Sequence, residues 1–225
     1  MKDKKRDKKK NSIIEFFAVV IMVIGFFLPT AFWAAQALDE SKEEKEITLC
    51  ATNLQKIMRA VFLFAQDHDD YLPTAHDNYK IFWYDMLKPY VEDIAIFRCP
   101  SLNYPIGYGW NVALGDNKSS DTKNYLTKLT EVPNPAKTLL IADSDQAAAG
   151  NPEKGHYAIS AFGPGFDEYG LNPEAFRCNF VSKRHKGGAN VAFVDGHVEW
   201  MTIEQIYQKN GNDINNPDYT IWDTR

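Results

Sequence analysis

From Ile13 to Ala35 the chain runs 23 residues in which only Glu15, Gly25, Pro29 and Thr30 are not apolar. As a helix this segment is about 34 Å long, enough to cross a hydrocarbon core of about 30 Å. It constrains the fold more than any other stretch, because a helix apolar all round must be covered by lipid or protein. Charge is partitioned around it. Residues 1–10 carry a net +5, residues 11–35 only the −1 of Glu15, and residues 36–225 a net −9, within a formal total of −5. The positive-inside rule then makes 1–10 a basic cytoplasmic leader, 11–36 a transmembrane helix and the acidic remainder an extracytoplasmic body. The body's negative charge excludes nucleic acid as its partner, since that binding needs clustered cations. The competing reading is a cleaved secretory signal ending at Ala35-Gln36-Ala37, although the run exceeds the ~7–15 apolar residues of such signals.

Beyond the apolar run, Ile47, Cys50, Leu54, Ile57, Val61 and Phe64 recur at helical spacing. Residues 37–72 therefore read as a helix continuing from the membrane span, with Asp39–Glu46 as a solvated neck and Asp67-His68-Asp69-Asp70 ending it before Pro73. Residues 80–91 suggest a short amphipathic helix cut by Pro89. Lys137–Ala142 reads as a fully buried strand, with Asp143-Ser144-Asp145 at its exposed end. Asn190–Val194 and His197–Met201 flank Asp195-Gly196, a hairpin signal in which both turn positions take φ > 0. Thr202 and Gln205 make a capping box for a helix over 203–208. The expected class is α+β: one long N-terminal helix packed on a small antiparallel sheet, in a domain over 73–208. The Asn/Asp-rich tail, 209–225, reads as irregular.

Glu15 lies three residues into the apolar run. A carboxylate there is a functional-site candidate by default, or one that snorkels to the headgroups and pairs with Lys9 or Lys10. Asn11-Ser12-Ile13-Ile14-Glu15-Phe16-Phe17, behind a short basic leader, resembles the type IV prepilin N-terminus, F-T-L-I-E-L. The resemblance implies that Glu15 serves subunit assembly by neutralising a neighbour's N-terminal amine. At the processing site the family carries a glycine followed by an apolar residue; Lys10 and Asn11 stand there in this chain.

The body resembles a pseudopilin-like group of bacterial inner-membrane proteins named for an H-x9-D-G motif. Here the motif is His185, then nine residues to Asp195-Gly196. Cys50-Ala51-Thr52-Asn53-Leu54-Gln55-Lys56-Ile57, Phe97-Arg98-Cys99-Pro100 and Tyr108-Gly109-Trp110-Asn111 continue the resemblance in order. It implies a pilin-like fold, a type II secretion or type IV pilus-like role, and other pseudopilin subunits or further copies of this chain as partners. Cys50 and Cys99 both fall inside these landmarks. Outside the membrane they are the favoured disulfide pair, with all thiols free or a Cys99–Cys178 bridge as alternatives.

No nucleophile elbow, P-loop or GxGxxG occurs, and nothing positive marks an enzyme. Asp143, Asp145, His185, His197 and Asp195 form a low-ranking metal candidate if the hairpin lies beside the 137–142 strand; a structural role for these residues is the simpler reading. Calcium is the cofactor most compatible with the acidic loops, and no cofactor is the default. The second functional class is therefore a membrane-tethered extracytoplasmic module binding calcium, glycan or peptide, and the third a metal-assisted hydrolase built on His185.

Overall fold

The computed structural model describes residues 2–77, 80–114, 127–145, 155–159 and 180–207. Within the first helix, side chains are described at Ile21, Met22, Gly25, Leu28, Thr30 and from Phe32 onward. That helix, α1, spans Lys2–Asp67, and the chain divides into two compact units, Met1–Glu44 and Lys45–Arg225.

In the first unit the described large apolar side chains are exposed. Ile21, Met22, Leu28, Phe32, Trp33 and Leu38 lie between 62% and 75% accessible. Among the described residues no helix is long and apolar enough to cross a membrane. Most side chains of the 13–31 stretch lie outside the described set, as do those of Lys10, Asn11 and Glu15.

The second unit is α+β. Its strands are β1 (His76–Asp77), β2 (Ile81–Phe82), β3 (Tyr108–Asn111), β4 (Leu139–Asp145), β5 (Ala158–Ile159), β6 (Phe180–Val181), β7 (Gly188–Phe193) and β8 (Val198–Thr202). Short helices α2 (Trp83–Leu87) and α3 (Ile203–Ile206) complete it. The main sheet runs β5-β3-β4-β7-β8, with β6 paired to β4. Every pair in it is antiparallel except β3–β5.

The periodicity of α1 decides what covers this sheet. Cys50, Leu54, Ile57, Val61 and Phe64 form a buried stripe that shares one core with Tyr108, Trp110, Leu140, Ile141, Ala192 and Val194 of the sheet region. Alternation along β7 sends Ala189, Val191 and Phe193 to a second, smaller core with Ile206 of α3. The helix stops at Asp67; Asp69 and Asp70 take positive φ, and the chain then pairs Tyr71 with Lys128. The 80–91 segment forms α2 followed by a 3₁₀ turn carrying Pro89, and the Thr202–Gln205 capping box is present.

Two expectations need correcting. Asp143, Ser144 and Asp145 are not an exposed strand end: β4 continues through them and all three are buried. The β7–β8 turn has positive φ at Gly196 alone, while the turn before β7 has positive φ at both Lys186 and Gly187. The backbone bonds explain both turns. Gly196 N donates to the Phe193 carbonyl and Phe193 N to that of His197, a type I turn closed by a left-handed glycine. His185 and Gly188 exchange both backbone bonds across Lys186-Gly187, a two-residue primed turn.

Candidate functional site

The register of the sheet sets a polar row on its helix-facing side. Tyr108 of β3 lies opposite Asp143 of β4. On the other side, Ile141 pairs with Ala192 of β7, so the next step in that register brings Asp143 to Asn190. Cys50 comes down from the α1 stripe onto this row. Cys99 arrives from the loop before β3, whose backbone packs so close to Gly107 that a Cβ there would lie 2.5 Å from that of Cys99. The primed turn at Lys186-Gly187 returns Arg184 and His185 to the same place. Ligand atoms of Cys50, Cys99, Asp143 and His185 all lie within 4.8 Å of one another, and all four residues are buried.

The contacts form one network. The two Sγ atoms are 2.8 Å apart, and both cysteines are free thiols. Arg184 donates from Nε to Cys99 Sγ (3.2 Å), from Nη1 to the Ser144 carbonyl (2.8 Å), and from Nη2 to Asp143 Oδ1 (2.8 Å) and the Gly107 carbonyl (2.6 Å). Asn190 donates from its backbone N (2.7 Å) and Nδ2 (3.2 Å) to Asp143 Oδ2. His185 Nε2 stands 3.5 Å from Cys99 Sγ and 3.6 Å from Asp143 Oδ1. Its Nδ1 is buried without a hydrogen-bond partner. Asn53 of α1 donates to the Arg98 carbonyl and to Tyr108 Oη, tying the helix to the same loop and strand.

Electrostatics follow from this arrangement. Burial opposes ionisation of Asp143, yet the Arg184 cation, His185 and the Asn190 amide hold its carboxyl below the ordinary range. Burial likewise opposes protonation of His185, but Asp143 and Cys99 outweigh it and push the imidazole up to about 9. Arg184 stays charged because Asp143 overcomes its desolvation. Of the two sulfurs, Cys99 is the more acidic, because it accepts from Cys50 and faces His185 and Arg184. Cys50, donating to Cys99 and buried, is pushed the other way.

The donor set can be weighed against metals. Calcium takes six to eight oxygens, and this cluster offers one carboxylate. Two thiolates on one tetrahedral zinc, each about 2.3 Å from the metal, stand about 3.8 Å apart; here they are 2.8 Å apart. Arg184 already supplies the cation that Cys99 and Asp143 would share with an ion. The geometry suits a sulfur–sulfur pair seated on a neutralised carboxylate.

Of the residues singled out from sequence, Asp143 and His185 meet, as do Cys50 and Cys99. Asp145 is buried in β4 but is not among the converging donors. Asp195 and Gly196 lie at the other end of β7 from His185, about 20 Å along a six-residue strand. That separation removes a joint His185–Asp195 metal centre. There Asp195 Oδ1 accepts from His197 N (3.1 Å) and pairs with His197 Nδ1 (2.6 Å), on exposed side chains. Cys178 lies outside the described residues, as do the rest of 160–179 and residues 146–154. Arg184 and Asn190 were not anticipated; their signal was adjacency, one beside His185 and the other two residues into β7. Comparison with protein-family models, curated proteins and solved structures returns no match.

Proposed function

We propose that the chain is a pseudopilin-like structural subunit of a type II secretion or type IV pilus-like assembly. In this reading a bacterial inner membrane holds it through residues 11–36, with the leader in the cytoplasm and the Lys45–Arg225 unit outside. The observation that carries it is the contrast along α1. From Cys50 on, the helix buries its apolar stripe in its own domain, whereas the described large apolar side chains between Ile21 and Leu38 are exposed. Exposed apolar surface on one helix calls for lipid or a neighbouring copy. The role is packing rather than catalysis, and Glu15 serves that assembly.

Two measurements test it. The full chain should stay with membranes after alkaline carbonate extraction, and cysteines placed on the 21–38 surface should cross-link between copies. Glu15→Ala should reduce that cross-linking several-fold while the Lys45–Arg225 unit keeps its circular dichroism. Release by carbonate, or cross-linking unaffected by the substitution, would overturn the proposal.

A further inference from the structure

We infer that Cys50 and Cys99 form a buried disulfide that clamps α1 to the loop before β3, and that Arg184, His185 and Asp143 are the charged seat of this bond. The inference goes beyond the assembly role and does not depend on it.

Position is the first argument. Even carbon atoms in contact rest about 3.5–4.0 Å apart, and sulfur is larger. Two sulfurs at 2.8 Å are therefore inside non-bonded contact. A covalent S–S bond of about 2.05 Å lies less than an ångström away, whereas a shared zinc requires the pair to spread. Gly107 matters here, since any Cβ at that position would displace the backbone that presents Cys99. Burial is the second argument: both cysteines are fully inaccessible, so the bond, once made, is shielded from reductants.

Charge is the third. In the dithiol, the network holds two cations, Arg184 and His185, around Asp143 and a thiolate at Cys99. In the disulfide the sulfur charge is gone, and Asp143 remains paired with Arg184 and bonded by Asn190. The disulfide state is compensated once His185, which loses the Cys99 charge that helped hold its proton, becomes neutral and leaves the Arg184–Asp143 pair.

The oxidant is an external disulfide, a small molecule or a thiol–disulfide oxidoreductase. One of the two cysteines, as its thiolate, attacks one donor sulfur; the donor S–S bond breaks and one donor thiol leaves. The other cysteine then loses its proton and attacks the first protein sulfur, expelling the second donor thiol. Two protein thiols become one disulfide, and one donor disulfide becomes two thiols. Because native burial blocks access, this exchange belongs to folding or to local opening.

The clamp has a mechanical meaning. Cys50 is the sixth residue of the Lys45–Arg225 unit, and the bond would span 49 positions of sequence. Any pull on α1 from its N-terminal side would meet a covalent tie before it reached Leu54, Ile57, Val61 and Phe64 of the stripe.

The test uses the purified full chain in detergent, unfolded and refolded with oxidised glutathione, then acid-quenched, alkylated under denaturing conditions, digested and weighed. The expected product is a Cys50–Cys99 linked peptide with Cys178 alkylated, and a Cys178→Ser variant that gives the same link. Reductant should attack the link slowly in the native chain and at once in denaturant. Reduction should lower Tm by about 10 °C, the worth of closing a loop of this length. Alkylation of both Cys50 and Cys99, a Cys99–Cys178 link, glutathione retained on Cys99, or one zinc per chain protecting both thiols until chelation would each overturn the inference.

Discussion

Two aspartate–histidine pairs flank the same strand and behave oppositely. Asp195 and His197 approach to 2.6 Å at an exposed turn, while Asp143 and His185 stand 3.6 Å apart with no exposed side chain. The shorter contact is the weaker one. At the turn, water solvates both partners and competes for their charge, so such pairs contribute little. In the core every charge must be answered by protein, and Asp143 has Arg184, His185 and two Asn190 donors doing so. Burial, not distance, decides which pair the fold depends on.

The largest effect that would sharpen this contrast is Asp143→Asn. It leaves the Arg184 cation buried without its carboxylate and should cost about 3–5 kcal/mol in denaturant unfolding; a loss below 1 kcal/mol would place both pairs in the same class. Next comes pH. The His185 pKa is raised on folding, so its stabilisation is complete below about 6.5 and disappears as pH climbs to about 9. With the thiols reduced, Cys99 works the other way across that interval, because its pKa is lowered on folding and its contribution grows with pH. Denaturant unfolding of the reduced chain should therefore give a nearly flat curve between about pH 6.5 and 9, and His185→Gln should turn it into one that rises with pH. Gly196→Ala should cost about 1–2 kcal/mol, because φ is +95° there and a Cβ would meet the Phe62 ring. His197→Ala and Asp195→Ala should each change stability by less than about 1 kcal/mol, as differential scanning calorimetry can check. A larger loss would mean that the motif's turn is as structural as its buried histidine.

Much of the scaffold was legible from local pattern. The spacing of Cys50, Leu54, Ile57, Val61 and Phe64 placed both the helix and its buried face, and Thr202 with Gln205 placed the start of α3. The hairpin over β7 and β8 was legible, but its turn conformation was not. Asp-Gly favours a primed turn in isolation, yet the chain here keeps a type I turn with glycine alone left-handed, under the Phe62 ring. Asp143-Ser144-Asp145 looked like a strand end because three polar residues normally seek water. They stay in β4 because Arg184 and Asn190 satisfy Asp143, while the Ser144 hydroxyl donates to the His156 carbonyl.

The sequence alone determined the three charge environments, the helical stripe, the β7–β8 hairpin and the α3 cap. Each depends on residues within a few positions of one another, where periodicity, backbone freedom and nearest-neighbour bonding suffice. Only the tertiary structure decided that Cys50, Cys99, Asp143, Arg184 and His185 meet. They come from a helix, a loop, a strand and a turn, separated by up to 135 positions, so no spacing records their contact. Their charge states were decided there too, because desolvation depends on what remote elements lay over a group rather than on its neighbours in the chain.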